Sequence, residues 1–310
     1  MGGGLAGPEL AAAVAAAGAL GTLGMLPPPD MREAIRQVRD AVPHRSVSVN
    51  LLMPFVRRSH VDVCVQARID VAVIAFGMDR DMLRRLSEQG VFVFVMVGTE
   101  EQARRACVCG ANGLIAQGCE AGGHIAGKTP ALELLPRVLE IARGRPVLLA
   151  GGIAAADDTR TAMTAGAAGV VAGTRFLLTD EARAHPEYVS RILKADKTFR
   201  TTLFGLGWPL PHRVVPNAAT QRWCGDDGRA KLVPRLINAG SGTLARIPDR
   251  AIAPLFGLQR PGLPIFSPMA PTMGMPDSMV DRMALYAGET VLRMTSVISA
   301  QQAVTDLTPR

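Results

Sequence analysis

The chain has 310 residues, 34 Lys and Arg against 27 Asp and Glu for a net charge of +7, and 48% hydrophobic but only 4% aromatic residues. That length can bury a large core, either one domain of about 200–250 residues with an appendage or two separate domains, and the Val- and Ala-rich composition suits short buried strands under close-packed helices. The positive charge is scattered, with Arg57–Arg58 and Arg84–Arg85 as its densest pairs, so a solvated basic surface is the better reading and nucleic-acid binding is set aside.

In chain order, Pro8, Glu9 and the Ala-rich run to Ala17 predict a helix with Pro in its first turn and Gly18 as its stop. Ala19–Met25 reads as a strand. Helices at Asp30–Ala41, His60–Ile69, Arg80–Gln89 and Glu100–Cys109 then alternate with strands at Ser46–Met53, Val71–Phe76, Val91–Val97 and Gly113–Ala116. After a loop at Gln117–His124 follow helix Ala131–Arg143, strand Pro146–Ala150, helix Asp157–Ala165 and strand Ala168–Ala172. This is the pattern of parallel βα units, and its closed form is a TIM-type (β/α)8 barrel with function on the loops after the strands.

The strand count is seven. Met1–Gly7 is loop chemistry directly before the first helix, where a strand should stand. Either the barrel is completed in another way or residues upstream of Met1 supply its first strand, and the second is the expectation. Residues 1–200 are thus read as the barrel, 201–277 as an irregular Pro- and Gly-rich cap with apolar Leu255–Phe256 and Ile265–Phe266, and 278–310 as a helix packing on the barrel. Glu181–Ala195 is expected to be helical.

The five cysteines, Cys64, Cys107, Cys109, Cys119 and Cys224, have no disulfide-framework or zinc-knuckle spacing and default to buried thiols. The apolar run Leu10–Met25 is interrupted by Gly18, Gly21 and Gly24 and has no basic leader, so neither a signal peptide nor a membrane span is expected. A reducing cytoplasm fits these readings.

Three glycine-bearing segments end late strands: Gln117–His124 (QGCEAGGH), Ala150–Ile153 (AGGI) and Ala172–Phe176 (AGTRF). Loops after the last two strands of such a barrel commonly bind a phosphate through backbone N–H groups, which nominates Gly151, Gly152, Gly173 and Thr174. Each motif alone could be a simple turn or cap; two on successive strands favour phosphate. The match of Gly122–Thr129 to a P-loop is a chance one, since Pro130 interrupts the helix start that should carry its Lys and Thr. A lone His is more often structural, yet His124 follows two glycines at the mouth of the expected barrel, where an imidazole can act as general base or hydrogen-bond donor. Glu120 is expected to orient the loop by accepting backbone N–H groups. His44, His60, His185 and His212 default to surface or capping roles.

These segments resemble the nitronate monooxygenase family, formerly 2-nitropropane dioxygenases, which are FMN-dependent βα barrels. The resemblance extends to GPELAAAVAAAGALGTLG near the start, VSVNLL at Val47–Leu52, HPEY at His185–Tyr188, WPLPHRVVPN at Trp208–Asn217 and LYAGETV at Leu285–Val291. QGxEAGGH and GTRF also occur in the related flavin-type enoyl-ACP reductases. The resemblance implies that Asn50 and Gln117 contact the flavin, Gly122 and Gly123 border it, and Gly151, Gly152, Gly173 and Thr174 hold its phosphate. It makes His124 the catalytic residue and aligns Met1-Gly2-Gly3 with the end of the family's first strand. Asn112 stands where the family often has Asp, and His124-Ile-Ala-Gly127 is one residue longer than the usual His-x-Gly.

The implied activity is oxidation of alkyl nitronates, such as propionate 3-nitronate, by O2 to a carbonyl compound and nitrite. The alternatives are an NAD(P)H-dependent flavin enoyl-thioester reductase and a truncated, non-catalytic barrel. The implied partners are the small-molecule nitronate and O2, with a homo-oligomer open and no metal, nucleic acid or membrane expected.

Overall fold

The computed structural model describes residues 4–246 and 259–309. Met1-Gly2-Gly3 and Leu255–Phe256 lie outside the described residues. Two compact units divide the chain: one comprises residues 1–121, 126–183 and 295–310, the other residues 122–125 and 184–294.

The first unit carries the predicted alternation. Its strands are β1 (Thr22–Leu23), β2 (Ser48–Leu52), β3 (Val71–Ala75), β4 (Phe92–Val97), β5 (Gly113–Gln117), β7 (Val147–Ala150) and β8 (Gly169–Val171). They form one seven-stranded sheet in the order β1-β2-β3-β4-β5-β7-β8, every neighbouring pair parallel. Sequential order with a helix in each crossover is the βα pattern of a TIM-type barrel, here with seven strands and no pairing of β1 with β8 among the described residues.

Helix α1 (Pro8–Ala16) precedes β1, and the six crossovers are α2 (Pro28–Ala41), α3 (Arg58–Gln66), α4 (Arg80–Glu88), α5 (Glu100–Val108), α6 (Ala131–Ala142) and α7 (Ala156–Thr164). Local chemistry sets their starts. Asp79 accepts the Met82 N–H at the head of α4, and Thr99 accepts the Gln102 N–H at the head of α5, where Glu100 and Glu101 also suit the positive helix end. One face of each strand meets these helices: Val49 and Leu51, Ala72 and Ile74, Val93 and Val95, Leu114 and Ala116, and Val147 and Leu149 all join a single buried core. Strand alternation turns the intervening residues to the other, inner face.

In the second unit, β6 (Gly123–His124), β9 (Phe199–Thr201) and β10 (His212–Val214) form a small antiparallel sheet with β10 in the middle. Short helices α9 (Pro186–Leu193), α10 (Ala218–Trp223) and α11 (Leu232–Gly240) accompany it. Irregular backbone here is held by buried side chains. Asn217 donates from Nδ2 to the Val280 and Met283 carbonyls while its Oδ1 caps α10 through Thr220 N–H, and Asn238 donates to the Thr202 and Leu203 carbonyls.

Several expectations need correction. The Glu181–Ala195 helix shrinks to α9, because His185 caps it by accepting the Glu187 N–H and Pro186 occupies its first position. The 201–277 stretch contains β10, α10 and α11 and is less irregular than expected. The 278–310 helix is not continuous: short 3₁₀ turns at Asp277–Met279 and Glu289–Arg293 precede a single α-helix at Ala300–Leu307. The spacing of Met283, Tyr286 and Val291 reflected burial against their own unit, which irregular chain also achieves.

Candidate active site

In the first unit, Asn50 lies in a row that crosses neighbouring strands, Asn50 against Val73, Val73 against Phe94 and Phe94 against Gly113. Paired positions of parallel strands face the same side, so Asn50 is on the inner face with the cluster of Val73, Phe94, Ile115 and Ala150. A Cβ on Gly113 would come within 2.5 Å of Phe94 Cε1, so the glycine makes room for that ring. The Asn50 Oδ1 is buried and has no hydrogen-bond partner among the described residues. A buried amide oxygen costs free energy until a donor meets it, and this one stands ready for a ligand N–H or O–H.

Gln117 closes β5 on the same face, opposite Ala150 of β7, which in turn pairs with Val171 of β8. Its Oε1 accepts the Ala126 N–H at 2.8 Å, which ties the two chain segments that flank residues 122–125. Gly151 (φ +109°) and Gly152 (φ +76°) follow β7 in conformations that glycine adopts without strain. Gly173 and Thr174 follow β8 at the start of the four-residue helix α8 (Thr174–Leu177). A Cβ on Gly173 would meet nothing within 4 Å. The two phosphate-nominated segments therefore follow laterally adjacent strands, as the sequence required of them.

Glu120 accepts the Ala131 N–H at 2.9 Å and so caps α6. Its expected role as acceptor of backbone N–H groups holds, and the group it orients is the helix start.

In the second unit, β6 pairs with β10 so that His124 is directly opposite His212. The His124 imidazole stacks on the Trp208 indole with centroids 3.6 Å apart and planes 7° from parallel. His212 and Tyr286 flank it at 4.9 and 5.6 Å. Burial pushes His124 well below the usual histidine range, and the neighbouring His212 adds to this. His124 is thus a neutral imidazole in an aromatic nest.

His212 corrects the surface-or-cap expectation. It is fully buried, its Nε2 accepts the Phe204 N–H at 3.2 Å, and its Nδ1 faces the Leu210 carbonyl at 3.0 Å, which places the ring proton on Nδ1. Burial takes its pKa down to about 4. His185 and His60 do cap, and His44 is exposed.

Gly122 has a structural duty of its own: a Cβ there would lie 2.5 Å from Gly288 N and 2.7 Å from the Ala287 carbonyl carbon. Gly123 takes φ +76° with open space at its Cβ position. The GGHIAGKT match forms no P-loop, because Gly123–His124 is an antiparallel strand and the next helix begins only at Ala131, beyond Lys128 and Thr129. Cys64 and Cys224 are buried, whereas Cys107, Cys109 and Cys119 are only half-buried. No metal-binding cluster occurs among the described residues, and none of their helices is long and apolar enough to cross a membrane.

Sequence reasoning missed Trp208 and Tyr286 and misjudged His212. The available signal was the concentration of a rare Trp and a His in GWPLPHR, one of only two Trp in the chain.

The nitronate monooxygenase family model matches residues 44–310. In Mycobacterium tuberculosis (strain ATCC 25618 / H37Rv), a relative named (3aS,4S,5R,7aS)-5-hydroxy-7a-methyl-1-oxo-octahydro-1H-indene-4-carboxyl-CoA dehydrogenase is 32% identical over 76% of this chain. Across three curated relatives the chain spans 67%, 60% and 41% of the relative's length. Among solved structures, FabK from Thermotoga maritima superimposes with a TM-score of 0.77 at 26% identity, covering 99% of this chain and 90% of that one. Nitroalkane oxidase from Streptomyces ansochromogenes gives 0.77 at 26% identity, covering 99% of this chain and 92% of that one. With a family match that takes in both the glycine-bearing strand ends and the His124 nest, the chain belongs to the nitronate monooxygenase family and is an oxidoreductase.

Proposed function

We propose that the protein oxidises alkyl nitronates, propionate 3-nitronate among them, with FMN and O2 to give a carbonyl compound and nitrite. The observation that carries this reading is the neutral, buried His124 imidazole held on Trp208. A neutral imidazole can donate its N–H to an anionic nitronate oxygen, or accept the α-proton where a neutral nitroalkane is the substrate.

FMN fits the residues present. The unpartnered Asn50 Oδ1 on the inner face offers an acceptor to the flavin, and Gln117 stands on the same face. Gly151, Gly152, Gly173 and Thr174 would hold the phosphate, with open space where a Gly173 side chain would be. Gly122 and Gly123 would border the flavin. When bound, FMN supplies an acceptor for the substrate's electrons and a route for them to O2. The chain's own residues bind the flavin, orient the nitronate and keep water from His124.

Substrate recognition is assigned to residues 201–277, from which Trp208 and His212 reach His124. A reducing cytoplasm belongs to the same reading, since the five cysteines have no disulfide-framework spacing.

A second reading, redox chemistry on an acyl thioester, is favoured by the CoA-thioester name of the Mycobacterium tuberculosis relative and by the likeness to FabK. Anaerobic mixing of the FMN-loaded protein separates the two. Bleaching of the flavin by nitronate and not by NADPH supports the first reading, whereas fast bleaching by NADPH overturns it in favour of thioester reduction. Protein that takes up no FMN overturns both.

A further inference from the structure

We infer that Trp208 and His212 are positioning residues that fix the plane of the His124 imidazole. The inference deepens the proposed function, because it rests on His124 being the catalytic residue.

The geometry comes from three local constraints. First, His124 and His212 are direct partners in an antiparallel pair, so their side chains leave the same face of the two strands and meet at 4.9 Å. Second, His212 cannot easily take a second proton. Its Nε2 is occupied as the acceptor of the Phe204 N–H, and its Nδ1–H is committed to the Leu210 carbonyl. Protonation would set Nε2–H against an N–H donor inside the core.

Third, the backbone that carries Trp208 is pinned on both sides. Trp208 N–H donates to the Gly205 carbonyl, Leu210 N–H to the Trp208 carbonyl, and Gly207 N–H to Ser241 Oγ at 2.8 Å. Pro209 and Pro211 remove two further backbone freedoms. An indole held this way is a flat stop against one face of the imidazole, and it is 6% exposed.

Charge around the nest agrees. His212 and Tyr286 are the titratable rings that flank His124, and burial keeps both neutral, His212 by lowering its pKa and Tyr286 by raising it. Tyr286 donates its hydroxyl to the Pro268 carbonyl, and Tyr188 donates to the Tyr286 carbonyl. Arg213, next to His212, points its guanidinium to the Glu289 carboxylate at 2.8 Å and to Thr198. Stacking on an indole by itself favours an imidazolium, through attraction to the ring face. Burial opposes that charge more strongly, and His124 stays neutral.

The test uses FMN-loaded protein labelled with ¹⁵N-histidine. NMR titration of His124 is set beside steady-state kinetics for Trp208→Leu, Trp208→Phe and His212→Asn. In the parent protein the His124 nitrogens are expected to show one set of neutral resonances throughout the ordinary histidine range near pH ~6.5. Trp208→Leu keeps the site apolar but removes the flat surface. It is expected to let the ring reorient, broadening or doubling those resonances, and to lower kcat roughly 10-fold or more, with KM and the flavin spectrum unchanged. Trp208→Phe restores kcat to within about 3-fold, because a second aromatic face remains. His212→Asn keeps a donor for the Leu210 carbonyl but is too short to accept the Phe204 N–H, and is expected to show a smaller loss of kcat with the same broadening of the His124 resonances. An unchanged His124 spectrum and unchanged kcat in Trp208→Leu overturn the inference. If His124→Ala itself keeps full turnover, the catalytic reading falls, and the His124 spectrum of the Trp208 and His212 variants alone decides whether these residues position the ring.

Discussion

The two units place functional side chains by different means. In the barrel unit, backbone hydrogen bonds fix the strands, and the side-chain period of two then decides that Asn50 and Gln117 share the inner face. In the second unit the backbone is largely irregular, and polar side chains such as Asn217, Asn238 and His212 hold it by bonding to carbonyls and amides. A regular ladder tolerates the loss of one inner-face side chain. An irregular unit held by a few buried amides does not, and the aromatic nest of His124 depends on that unit.

The sharpest way to break this comparison is at the nest. His124→Ala is expected to lower nitronate turnover by at least about 100-fold while FMN remains bound, since Asn50, Gln117 and the strand-end glycines proposed to hold the flavin are left intact. Stopped-flow turnover together with the visible spectrum checks both halves, and unchanged turnover removes the assigned role.

Asn217→Ala should cost roughly 3 kcal/mol of stability, because it strands the Val280 and Met283 carbonyls and uncaps α10 at once. Denaturant unfolding monitored by tryptophan fluorescence would report it, and a cost near zero would show that the second unit is not held by its buried amides.

Acid should act on the same unit. The buried His212 has its folded pKa lowered from 6.5 to about 4, so the unfolded chain binds its proton first and stability falls as pH drops between those values. About 3 kcal/mol is at stake in that window for this group, with full stability above it. Unfolding curves across the window measure it, and His212→Asn should flatten the dependence.

Asn50→Ala tests the barrel side. Its Oδ1 bonds to no described residue, so stability should hardly change while FMN affinity drops about 10-fold, as expected for one buried hydrogen bond to a ligand. Flavin titration beside a melting curve distinguishes that result from a structural role. The smallest effect is expected of Glu120→Gln, which keeps an acceptor for Ala131 N–H but removes charge from the α6 start, at about 0.5 kcal/mol.

Much of the barrel is legible in the sequence. The seven strands, the helix before them and the six crossover helices follow from the sequence with ends displaced by a few residues at most, because alternating apolar runs, capping residues and glycine stops are local signals. The second unit was opaque for the same reason. Asn217 finds its partners 63 and 66 residues away, and nothing in the intervening sequence marks them. The reading of 278–310 as one helix failed because its apolar spacing described burial, which α-helix and irregular chain satisfy equally.

The sequence by itself determined that QGCEAGGH, AGGI and AGTRF would end strands, since short apolar runs before paired glycines leave the backbone little else to do. It also carried the family, through motifs spread along the chain. Only the tertiary structure decided the state of His124. A histidine's charge is set by what surrounds it, and Trp208, His212 and Tyr286 come from stretches 84 to 162 residues further along the chain. Their packing removes water from the imidazole, and that desolvation is what keeps it neutral.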